Sequence, residues 1–121
     1  MDSTRWIELL IKYPKACTLL YFWIIDKQRV IEYEVDQETF IKALTNNHIL
    51  ENEEKSFRFF DNLFIRCGVF PLGHKQFRSF ATSEYRTFVC HDEPDRYSAI
   101  ELAVCNALDL LEERILKTDS N

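Results

Sequence analysis

FRSFATSEYRTFVCHDEPDRYSAIELAVCNALDLLEERIL, residues 77–116, holds the two patterns that settle the fold class. Its first half is β-like. Aromatic and β-branched side chains run from Phe77 to Ala81 and again from Tyr85 to His91, and Thr82, Ser83 and Glu84 join the two runs as a hairpin near 76–91. From Ser98 the period changes. Ile100, Ala103, Val104, Ala107, Leu108, Leu111 and Ile115 fall on one face of a helix that continues to about Leu116. Ser98-Ala99-Ile100-Glu101 has the spacing of a capping box, in which serine oxygen and glutamate each satisfy a free backbone N–H. Small residues at 103 and 107 let a neighbouring layer approach closely. A hairpin followed by a long amphipathic helix predicts an α+β domain, with a small, mainly antiparallel sheet packed by helices. Phe77 and Phe80 have opposite parity, so both can face inward only across a bulge.

Working back toward the N-terminus, helices dominate. Trp6, Leu9, Leu10 and Tyr13 recur at helical spacing after Ser3, and Pro14 suits the first turn of a second helix over about Lys15 to Asp26. Val30 to Val35 alternates, with Ile31, Tyr33 and Val35 on one side and Glu32 and Glu34 on the other, which predicts a half-buried strand. Asp36 is placed to cap a helix over Gln37 to Asn46. Asn52 is placed to cap another, with Phe57, Phe60, Phe64 and Cys67 as its stripe and Gly68 as its left-handed exit. That makes about five helices around the sheet, in one domain over 1–121, with a polar frayed tail at 117–121.

Composition narrows the class. Ten Phe, five Tyr and two Trp are many for 121 residues, whereas Gly (2) and Pro (3) are scarce, which fits helices better than a many-turned sandwich. A formal charge of −5 argues against coating phosphate backbones. Charge is uneven: seven acids face Lys42 alone between Glu32 and Glu54, while Arg66, Lys75, Arg78 and Arg86 face only Glu84 between residues 66 and 86. The apolar run from Ala16 to Ile25 is too short to span a bilayer and lacks a cleavage site, so a cytoplasmic chain with reduced thiols is expected and no membrane partner.

Reactive groups do not assemble into a motif. Cys67, His74, Cys90 and His91 could ligate zinc in principle, but no two sit at the close spacing that preorganises half a tetrahedron. Adjacent Cys90 and His91 point to opposite faces of a strand. No phosphate-cradling glycine loop exists, and no local pattern marks a cysteine nucleophile. No metal, cofactor or catalytic residue is therefore expected, although an enzyme without a motif stays open as one alternative.

The surplus is aromatic. Trp6, Tyr13, Leu20, Tyr21, Trp23 and Ile24 exceed what a helical hairpin needs for its own seam, which predicts a face for another protein or a second copy of the chain. A second candidate is the basic and aromatic interleaving of Arg66, Lys75, Phe77, Arg78, Tyr85 and Arg86. Single-stranded nucleic acid is held by cations along the backbone and rings under the bases.

Two stretches carry a resemblance. Trp6–Ala16 (WIELLIKYPKA) and Tyr97–Ile115 (YSAIELAVCNALDLLEERI) look like the ends of small uncharacterised bacterial and phage proteins. The second resembles the closing helix of the phage "ABA sandwich" type of domain. The resemblance implies helices flanking a small sheet and an accessory protein of a phage or mobile element. It implies no functional residue.

Overall fold

Three of the five helices begin where the preceding aspartate can take up free N–H groups, and a computed structural model describes the helix starts and their consequences for residues 1–119. In α1 (Ser3–Lys12) the Asp2 carboxylate accepts the Arg5 N–H at 2.9 Å, so the cap lies one residue before the expected Ser3. Pro14 opens α2 (Pro14–Ile24), where its missing N–H costs nothing. Asp36 caps α3 (Gln37–Asn46) as expected, accepting from the Thr39 N–H at 3.1 Å. Asn52 caps only a 3-10 turn (Glu53–Lys55), after which α4 runs from Ser56 to Asn62. Three strands follow, β1 (Arg66–Gly73), β2 (Gln76–Ser83) and β3 (Arg86–Glu93), and then the long α5 (Arg96–Asp119).

The strands form one antiparallel meander in the order β1-β2-β3. The expected hairpin is thus its β2–β3 half, and β1 is an addition that the sequence reading missed. α5 lies across all three strands and also packs on α2. The core fills the space between, with Trp6, Leu9, Leu20, Phe40, Phe60, Ile65, Val104 and Leu108 each sealed. Ala99, Ala103 and Ala107 are fully buried on α5, as close approach requires. The fold is therefore α+β, with five α-helices and a three-stranded sheet among the described residues. None of the helices is long and apolar enough to cross a membrane.

Four local expectations are corrected. The strand at 30–35 does not form. Glu32 is left-handed (φ 74°), the Tyr33 N–H turns back to the Val30 carbonyl, and Val30 and Ile31 are exposed. Alternation alone cannot hold a strand whose N–H and C=O groups find no neighbour. Only Val35 is buried there, and its N–H goes to Thr18 Oγ1 at 3.0 Å. Secondly, Asp95, not Ser98, caps α5: its carboxylate accepts the Ser98 N–H at 2.8 Å and the Ser98 hydroxyl at 2.9 Å. Glu101 is thereby released, and it accepts from Arg5 Nε on α1 at 3.1 Å. Thirdly, residues 117–119 of the expected tail are helical, while 120 and 121 lie outside the described residues.

The fourth correction concerns how α4 ends. Gly68 does not terminate it, because Phe64 already has (φ 61°). The Ile65 N–H reaches the Phe60 carbonyl at 2.9 Å and the Phe64 N–H reaches that of Asp61 at 3.0 Å, a Schellman closure. α2 and α3 end identically, through left-handed Asp26 (φ 55°) and His48 (φ 60°). Glycine usually fills this position, since an L side chain there costs roughly 1–2 kcal/mol. The Phe64 ring is 78% exposed and contributes little packing. Phe64→Gly is therefore expected to stabilise the fold by about 1 kcal/mol, seen as a higher urea midpoint at unchanged slope. A lower midpoint would mean that the ring stabilises more than its backbone strain costs.

Candidate functional site

Helices cover one face of the sheet only. Along β2, Ser79 and Ala81 are fully buried toward α5, with Phe77 on the same side. Arg78 and Phe80 therefore point to the other, helix-free face. Residues directly opposite in an antiparallel ladder share a face, so Phe80 is joined there by Gly68 and Cys90, and Arg78 by Phe70 and Asp92. No bulge is needed to reconcile Phe77 with Phe80, since they simply serve opposite faces. The irregularities in register fall near the strand ends, between Pro71 and Gly73 and between Ala81 and Ser83.

Three phenylalanines form a stripe across this open face. The Phe80 and Phe88 rings stack at 5.5 Å with 19° between their planes, and Phe70 meets Phe80 at 6.0 Å. These are diagonal neighbours on adjacent strands, which is the geometry that brings large rings together. Phe70 is 40% exposed and Phe88 47%. Gly68 makes room for the central ring: a Cβ there would lie 3.1 Å from Phe80 Cε1 and Cζ. Beside the stripe Arg78 grips Asp92 in a bidentate pair, with Nε–Oδ1 at 2.7 Å and Nη2–Oδ2 at 3.2 Å. That pair holds the Asp92 carboxyl below its usual range and raises Arg78, and it neutralises the cation in the middle of the face.

The residues singled out from the sequence are placed differently. Trp6, Tyr13 and Leu20 are buried in the core. Tyr21, Trp23 and Ile24 are half-buried against it, with Trp23 on Phe59 at 5.7 Å and Tyr21 on Phe22 at 5.4 Å. The six do not make one open surface. The basic set is dispersed as well. Arg66 and Arg78 share the open face, Phe77 faces α5, and Lys75 and Tyr85 sit in turns at opposite ends of β2. Arg86 Nη1 reaches Glu113 at 2.9 Å and Asp109 at 3.7 Å on α5. Acidic residues 32–54 scatter too: Asp36 caps α3, Glu53 is buried against the Met1 amine, and Glu54 pairs with Arg96 at 2.7 Å.

Neither Phe70 nor Phe88 stands out in the sequence as a site residue, and Phe80 does so only through its parity against Phe77. The available signal was strand parity, together with a glycine in mid-strand opposite an aromatic ring. Its use required β1 to be recognised as a strand.

All four cysteines are free. Burial pushes the Cys17 thiol well above its ordinary range and that of Cys67 up to about 12. Cys105, near Arg5 Nη2 at 3.3 Å, is raised chiefly by burial as well. Cys90 is exposed on the open face, whereas Cys67 faces α5, so these two cannot share a ligand. Among the described residues no three metal-ligating side chains gather. No protein-family model matches the chain, and no curated protein or solved structure is significantly similar to it.

Proposed function

We propose that this chain is a non-catalytic interaction protein that docks another protein through the open face of its sheet. The Phe70–Phe80–Phe88 stripe carries the reading. Rings of this size with few rotors supply large contact area at small entropic cost, and they form the centres of interfaces more often than the rest of a surface. The bidentate Arg78–Asp92 pair beside it would give such an interface a neutralised polar contact. A cytoplasmic setting belongs to the same reading and is supported by four unpaired thiols. The resemblance of Trp6–Ala16 and Tyr97–Ile115 to small phage and bacterial proteins belongs to the same proposal, as an accessory role in a phage or mobile element. A second copy of the chain is the alternative protein occupant.

One observation favours a second reading: ring stacking on an antiparallel sheet is also how single-stranded nucleic acid is held. Charge weighs against it. Arg78 is neutralised by Asp92, Arg86 is engaged on α5, and the chain carries −5 overall. Phe88→Glu tests the protein reading. A charged side chain in the stripe is expected to weaken association at least about tenfold, by light scattering for self-association and by capture from the native host for a partner. A folded variant that associates and captures as the wild type does would sink it. Salt-sensitive retention of a single-stranded oligonucleotide, lost in the variant, would instead select the second reading.

A further inference from the structure

Away from the open face, at the end of the molecule where the β2–β3 turn meets the last turns of α5, lies a cleft of about 420 Å³ lined by Tyr85, Arg114, Lys117 and Thr118. Its central group is Arg114. One guanidinium nitrogen, Nη1, donates to the carbonyl of Leu63 and fixes the side chain. The other two, Nε and Nη2, are shielded from water and have no acceptor among the described residues. Those two N–H groups form the side-on fork with which arginine grips a planar oxyanion, as Arg78 grips Asp92 with the same pair of atoms in this molecule. A shielded donor with nothing to replace its water is the costly arrangement, and buried polar groups are otherwise almost always paired.

The surroundings fit an anion. Around the cleft Arg86 reaches Asp109 and Glu113, and Lys117 reaches Glu113, so both of these carboxylates are already engaged by other cations. Tyr85 sits over the Arg114 guanidinium, with its ring centroid 5.9 Å from Cζ. It belongs to a short turn and is 68% exposed, so the ring can lift without disturbing the strands. We propose that this cleft is an oxyanion site, taking a carboxylate or phosphate group on the Arg114 fork, with Lys117 and Thr118 at its rim and Tyr85 as its cover. The site is independent of the interface on the opposite face of the sheet, and each can fail without the other.

The test is an NMR titration of the wild-type chain with inorganic phosphate and, separately, with acetate, against chloride at matched ionic strength. The readouts are the Arg114 Nε–H and the backbone amides of Tyr85 and Lys117. A saturable shift with one oxyanion, absent with chloride, is expected, and the stronger of the two identifies the ligand as a phosphate ester or a carboxylate. Arg114→Lys keeps the charge and loses the fork, so the amide response should weaken about tenfold. Tyr85→Ala leaves the Leu63 bond in place and removes the cover, so binding should tighten. Absence of saturation in both wild type and Tyr85→Ala, or an Arg114→Lys titration equal to wild type, would overturn the assignment.

Discussion

Trp6→Ala is expected to cost the fold about 3–5 kcal/mol, the largest loss from any single truncation considered. Trp6 is sealed from solvent in the first helix and meets Phe40 of α3 edge-to-face, at 6.0 Å and 77°. Its removal leaves a void between α1 and α3 that Leu9 and Leu44, both already packed, cannot fill without distorting their helices. Total stabilities of single domains are of order 5–15 kcal/mol, so a large share would be gone. The measurement is the urea midpoint at constant slope. Trp6→Phe separates volume from polarity. Trp6 Nε1 has no hydrogen-bond partner among the described residues, so the phenylalanine variant sheds an unsatisfied donor along with some bulk, and it should cost clearly less than alanine. Equal losses for the two variants would refute the void as the cause.

Glu112→Ala ranks second, at about 2–4 kcal/mol, for an electrostatic reason. Most helices here are capped by a side chain from the residue just before them, but α2 is not: Tyr13 precedes Pro14 and offers no acceptor. The acceptor comes from α5. Glu112 Oε1 takes the Ala16 N–H at 2.6 Å, and Oε2 takes the Lys15 N–H at 3.3 Å. Alanine would leave both donors at a buried helix start without a partner. Glutamine keeps one carbonyl oxygen for Ala16 and should recover much of the loss.

The same residue gives a pH signature. Burial pushes the Glu112 carboxyl above its ordinary value, outweighing the bonds from Ala16 and Lys15 that favour the anion. A carboxyl whose pKa is higher folded than unfolded binds its proton more tightly in the fold. The stabilisation this gives is complete below the usual glutamate range and is lost as pH rises through the raised value. The stability of wild type relative to Glu112→Gln should therefore fall as pH rises across that window. An opposite slope, from unfolding curves at a series of pH values, would show the two N–H bonds to outweigh burial.

How much of this was readable in advance depended on whether the cause was local. The Asp36 cap, the Pro14 break and the apolar face of α5 rest on neighbours within one or two turns, and those elements formed where the pattern put them. Val30–Val35 alternates as a strand does, yet strand formation is decided by a pairing partner elsewhere in the chain, and β1 to β3 satisfy one another instead. β1 was missed because Gly68, Pro71 and Gly73 look like a loop. Gly68 is needed there for a ring on the next strand, a requirement visible only once the strands are aligned. The helical aromatics looked like a surface surplus because the area that α5 and the sheet would cover cannot be summed from one helix's periodicity. The open stripe follows from which sheet face α5 occupies.

The position of α5 also bears on how the chain matures during synthesis. It is the last of these elements to leave the ribosome, yet it supplies both the lining of the sheet's inner face and the acceptor at the start of α2. Until it emerges, a nascent chain displays an unlined sheet with two free edges, the sort of intermediate that holding chaperones recognise.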